Sequence, residues 1–127
     1  MDVVEAFRDD MKTTQLTVGG QGKRKFRVSR ETPLNVLMID ELAMLTALSS
    51  GATTRRLNQL LAEIMTQGRS TGYSVLAYLQ EPTKDIVPIR DLFTRRISLR
   101  TTSASYVDMV LGDGARIGTM SFVGSCR

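Results

Sequence analysis

Residues 34–39, LNVLMI, are apolar at five of six positions and run straight into two carboxylates, Asp40 and Glu41. A short run of this kind is the signature of a strand buried on both faces of a parallel sheet. Such strands ordinarily end at Gly, Pro or Asn; this one ends in paired acids. Neighbouring carboxylates at a sheet rim repel one another unless something positive, typically a metal ion, lies between or beside them. Chemistry is therefore expected at the end of this run.

The chain on either side supplies the elements such a strand needs. ATTRRLNQLLAEIMTQ (52–67) carries Leu57, Leu60, Leu61, Ile64 and Met65 on one helical face, with Gly68 as terminator. YSVLAYL (73–79) reads as a second buried strand ending at Gln80. VPIRDLF (87–93) reads as a short helix with proline near its start. RRISLRT (95–101) alternates like a third, less buried strand, and SASYVDMVLG (103–112) like a helix capped by Ser103 and stopped by Gly112. Upstream, Val3, Val4, Phe7 and Met11 predict an amphipathic helix over 2–12, with Asp2 as N-cap. A polar, glycine-bearing loop, a short strand at FRVS (26–29) and the Thr32-Pro33 break follow. Strands alternating with helices predict an α/β domain with a parallel sheet. Ligands of such sheets lie beyond the carboxyl ends of the strands, where Asp40, Glu41 and Gln80 fall.

Composition narrows the classes. A chain of 127 residues, 42% hydrophobic and 24% charged, has the length and make-up of one globular domain. The net charge is +4, and five of the 17 basic residues (Lys23, Arg24, Lys25, Arg27 and Arg30) lie within QGKRKFRVSR (21–30). That cluster suits a polyanion such as nucleic acid, or is simply a solvated loop. One cysteine, Cys126, excludes an internal disulfide and a cysteine-based zinc site, and histidine is absent from the sequence. A reducing, cytoplasmic setting is expected. No apolar run approaches the roughly 20 residues of a membrane span.

An apolar strand ending in Asp-Glu is the pattern of a Walker B strand. The aspartate helps to hold Mg²⁺ through its water shell, and the glutamate orients the water that attacks a γ-phosphate. The alternative is a strand leading into a helix whose first turn favours an acid. Gln80, directly after the second strand, suits a sensor of the γ-phosphate or the attacking water; the alternative is a turn residue bonded to its own backbone.

VLMIDELAML, LAEIMTQGRSTGYSVLAYLQEP, IRDLFTRRISLRT and VDMVLGDGA occur here in an order and spacing that resembles the FtsK/SpoIIIE family of double-stranded-DNA-translocating ATPases, most nearly its actinobacterial plasmid-transfer members. The resemblance spans roughly residues 33–115. It implies a RecA-like P-loop NTPase core of three layers with a mainly parallel sheet, ATP and Mg²⁺ as cofactors, and a homo-oligomeric ring, usually a hexamer, around duplex DNA. It makes Asp40 and Glu41 the Walker B pair, with Asp40 on the metal, and Gln80 the sensor. It makes Arg96, or else Arg95, an arginine finger acting across the subunit boundary; their alternative is charge shielding an edge strand. Arg69 matches a family position for interface or DNA contact, against a plain surface role.

The resemblance fails upstream. The Walker A loop, G-x-x-x-x-G-K-[ST], has no match; GGQGKRK (19–25) has neither its spacing nor Ser/Thr after Lys23. In the family's sheet order the Walker A strand separates the sensor strand from the strand carrying Arg96. Without it, 34–39 and 73–79 could still pair directly, whereas 95–101 would lack a neighbour, at about 1–3 kcal/mol per unpaired buried backbone group. The expected organisation is a helix and basic loop (1–32), a partial ATPase domain (33–115) and an irregular tail (116–127). The expected function is a translocase segment, inactive or very weak by itself, whose intact parent could be anchored through a further N-terminal region. A type VII secretion-like motor and a non-enzymatic subunit that joins a ring or binds nucleic acid through Lys23, Arg24, Lys25 and Arg27 are the competing expectations.

Overall fold

A computed structural model of the chain describes residues 1–20, 26–80, 87–99 and 104–112. The chain divides into two compact units, Met1–Phe93 and Thr94–Arg127.

The first unit is mixed α/β. Its elements are α1 (Asp2–Gly20), β1 (Asn35–Ile39), α2 (Leu42–Ala47), α3 (Gly51–Gln67), a 3₁₀ turn (Gly68–Ser70), β2 (Tyr73–Ala77) and a second 3₁₀ turn (Pro88–Leu92). The two strands pair in parallel, with Asn35 opposite Tyr73 and Ile39 opposite Ala77. α3 is the crossover between them. Ser50 caps it, its hydroxyl accepting from the Thr53 amide. Leu57, Leu60, Leu61 and Ile64 are buried, as their spacing predicts. Gly68 ends α3 in a right-handed conformation, φ −62°. It is needed for closeness, since a Cβ there would lie 2.5 Å from the Tyr73 carbonyl oxygen. Gly72, at φ +82°, is in the left-handed region that favours glycine. Phe26 packs where a Gly72 side chain would project, and Asn35 N–H donates to Gly72 O at 2.8 Å. Residues 26–34 therefore enter at the amino end of the sheet.

α1 runs to Gly20, well past residue 12. Thr13 and Thr17 donate to the carbonyls four residues back, at 3.0 Å each, while Thr14 pairs with the Tyr73 hydroxyl at 3.1 Å. Tyr73 OH also donates to Asp10 at 2.5 Å, and its ring meets Phe7 edge-on at 5.1 Å. Threonines that look like loop formers thus join the helix because its second half docks on β2. Ion pairs link the helices: Glu5 with Arg56 at 3.2 Å, Arg8 with Glu63 at 3.5 Å and Lys12 with Glu63 at 2.9 Å. Residue numbers rise together in these pairs, so α1 runs parallel to α3.

The Lys12 hydrogen bond holds the Glu63 carboxyl below its ordinary value of 4.5; partial burial opposes this, and the charges of Lys12, Arg8 and Arg56 add to the lowering. A depressed carboxylate contributes stability that is complete above the unfolded-chain value and is lost as pH falls through the folded one. Wild-type and Glu63→Gln proteins should therefore differ by a constant amount near neutrality. The gap should close as pH drops below 4.5, which urea denaturation at a series of pH values will check.

Two local expectations are corrected. Residues 26–29 are not a strand: a turn takes their place, closed by Ser29 N–H to Thr32 O at 3.1 Å and by the Thr32 hydroxyl to Arg27 O at 2.7 Å. The strands are not covered on both faces. Leu37, Ile39 and Tyr73 are buried against α1 and α3, whereas Val36, Met38, Leu76 and Tyr78 on the other face are 45%, 64%, 42% and 47% exposed.

In the second unit, α4 (Ala104–Leu111) ends at Gly112, φ +99°, whose N–H donates to Asp108 O at 2.8 Å. Residues 94–99 are not a strand. Ile97 and Leu99 are 84% and 78% exposed. Alternating residues make a strand only beside a partner backbone, and none pairs with them among the described residues. Arg100 and Thr101 of that expected strand, the Ser103 cap and the tail 116–127 lie outside the described residues.

Candidate functional site at the carboxyl end of the sheet

β1 and β2 deliver their carboxyl ends side by side. Tyr78 N–H donates to Ile39 O at 2.9 Å, and Leu42 N–H donates to Tyr78 O at 3.1 Å. Asp40 and Glu41 thus form a two-residue arch whose two feet are both hydrogen-bonded to Tyr78, the residue just past β2. Leu42, 1% exposed, anchors the far foot in the core. The register ends at Ile39 opposite Ala77, so Asp40 and Glu41 follow β1 directly, whereas Gln80 stands three residues past the end of β2 and not directly after it as expected.

The three side chains are used differently. Asp40 and Gln80 are exposed. Glu41 is the N-cap of α2: its Oε1 accepts from the Ala43 amide at 3.1 Å, with extended backbone at φ −143°, ψ 101°. This is the helix-start reading of an acid after a strand, and it occupies one carboxylate oxygen of two. Among the described residues, no group of three or more Asp, Glu, His or Cys could hold a metal ion. A donor set built on one exposed carboxylate fits only a cation that keeps most of its waters, such as Mg²⁺.

Of the other named residues, Arg27 and Arg69 belong to the first unit and Arg95 and Arg96 to the second. Arg69 is exposed in the 3₁₀ turn before β2, at the amino end of the sheet. Arg95 is exposed and Arg96 half-buried in the second unit. Arg96 donates to Val110 O at 3.3 Å, so it engages the last turn of α4, where a cation meets the negative end of the helix dipole. Arg27 is exposed beside the amino end of β1. Lys23, Arg24 and Lys25 lie outside the described residues.

Tyr78 is the residue that sequence reasoning missed. It shapes the arch through its backbone, and a main-chain hydrogen bond leaves no mark on residue type.

Among the described residues, no helix is long and apolar enough to cross a membrane. No protein-family model matches the chain, and no curated protein or solved structure is significantly similar to it.

Proposed function

We propose that the chain is a segment of an ATP-driven double-stranded-DNA translocase of the FtsK/SpoIIIE kind, carrying part of a RecA-like P-loop core. By itself it turns ATP over weakly or not at all. The observation that supports this most is the arch: an Asp-Glu pair immediately past β1, whose flanking Ile39 and Leu42 are both hydrogen-bonded to Tyr78, the residue just past β2. In this reading Asp40 meets a hydrated Mg²⁺, which would supply charge neutralisation to the phosphates of ATP. Glu41 keeps Oε1 on Ala43 and orients a water with its second oxygen, while Gln80 contacts the γ-phosphate side. Arg96, or Arg95, acts from a neighbouring subunit of a ring. Weak turnover follows from the missing Walker A loop, because backbone amides and a lysine normally hold the phosphates.

ATP turnover with and without duplex DNA, on the wild-type chain and on Glu41→Gln, tests this reading. Turnover at or near background is expected, with any residual activity abolished by Glu41→Gln. Robust turnover that Glu41→Gln leaves unchanged would overturn it.

One observation favours a second reading. A glutamate that caps its own helix needs no catalytic duty, which suits a non-enzymatic module binding nucleic acid through its basic segment. Binding of that kind weakens with log salt at a slope of about −0.9 per neutralised phosphate, and Asp40→Asn should leave it unaltered.

A further inference from the structure

The face of the β1–β2 sheet turned away from α1 and α3 is apolar and open. Leu34, Val36, Met38, Leu76 and Tyr78 are 51%, 45%, 64%, 42% and 47% exposed, together leaving on the order of 450 Å² uncovered, the size of the largest patch on a typical monomer.

We propose that this face docks on the same face of a second copy of the chain, with the strands of the two copies antiparallel. The charges at the two ends of the sheet select this occupant and this direction. The amino end carries exposed Arg27, Arg30 and Arg69 against one acid, Glu31, and Phe26 packing at Gly72 holds residues 26–34 there. The carboxyl end carries Asp40 and Glu41. A two-fold axis across the strands sets the basic end of each copy beside the acidic end of the other, whereas an axis along the strands would bring like ends together. The contact is isologous, each patch meeting its own copy, with the sheets about 10 Å apart. The apolar patch alone is smaller than the ~800 Å² per partner of a stable complex; the charged rims extend it, and the resulting dimer is salt-sensitive. This inference does not depend on the motor reading: it draws on the charges of Asp40 and Glu41 but needs no nucleotide and no catalytic role for either.

Sedimentation equilibrium from micromolar to millimolar chain, with peroxide oxidation of Met38 read by mass spectrometry, tests it. The wild-type chain should pass from monomer to dimer, with Met38 protected as dimer forms, and added salt should shift the equilibrium back. Met38→Lys, at an exposed position, should fold normally by circular dichroism and weaken the dimer at least about tenfold. Leu48→Lys, at a residue 79% exposed elsewhere on this unit, should leave it intact. Asp40→Arg should weaken the dimer, and adding Arg30→Asp should restore it. A monomer at every concentration overturns the proposal, whether Met38 is oxidised freely or shielded within one chain. So does a dimer indifferent to Met38→Lys.

Discussion

Leu61→Ala is expected to lower the unfolding free energy by about 2–5 kcal/mol, the range for emptying a closed core site. Leu61 has 0% exposure and sits on α3 with Leu57, Leu60 and Ile64, the stripe on which β1, β2 and α1 converge. Losing its terminal isopropyl group forfeits the transfer free energy of three carbons. It also leaves a cavity lined by α3 neighbours that helical backbone holds in place. Small domains have only about 5–15 kcal/mol in total, so the substitution takes a large share. Urea denaturation should show a lower midpoint with an unchanged slope. Val3→Ala, on the outer face of α1 at 71% exposure, is the control and should stay within about 0.5 kcal/mol.

Gly72→Ala should cost about 2–4 kcal/mol for a different reason. The backbone at φ +82° penalises any Cβ, and here the added methyl would also occupy the space of the Phe26 ring. The ring must leave, and with it goes the contact that holds residues 26–34 against the amino end of the sheet. The loss should therefore be accompanied by faster hydrogen exchange at Ser29 and Asn35, whose amides are bonded to Thr32 O and Gly72 O. Phe26→Leu, which yields room, should recover part of the loss in the double variant. Recovery of nothing would mean that backbone strain alone sets the cost.

The core of this fold was legible where one residue pattern has one physical meaning. Leu57, Leu60, Leu61, Ile64 and Met65 recur at helical spacing; the first four are buried and Met65 is partly buried against them. Asn35–Ile39 within LNVLMI and Tyr73–Ala77 within YSVLAYL are strands in parallel register; the second stops two residues short of the expected end, so Asp40 follows its strand directly while Gln80 stands three residues past its own. The pattern misled where burial depends on what else is present. Val36 and Met38 are as apolar as Leu37 and Ile39, so the run predicts two covered faces, yet helices lie on one. Ile97 and Leu99 alternate as a strand should and have no backbone to pair with among the described residues. Thr13, Thr14 and Thr17 look like loop and belong to α1, because Tyr73, 59 residues beyond Thr14, receives it. At the site itself the ambiguity is chemical. A glutamate after a strand serves equally as helix cap and as water-orienting base, and Glu41 does the first while retaining an oxygen for the second.

In the proposed reading the arch between Ile39 and Leu42 faces a magnesium-bound triphosphate. Amide NMR of the chain with Mn²⁺–ATP measures this most directly, because a paramagnetic substitute for Mg²⁺ broadens nearby signals even when binding is weak. Broadening should centre on Asp40, Glu41 and Gln80, require ATP as well as the metal, and disappear in Asp40→Asn. Broadening that is the same without ATP, or that centres on the acids of α1 such as Asp9, would contradict it.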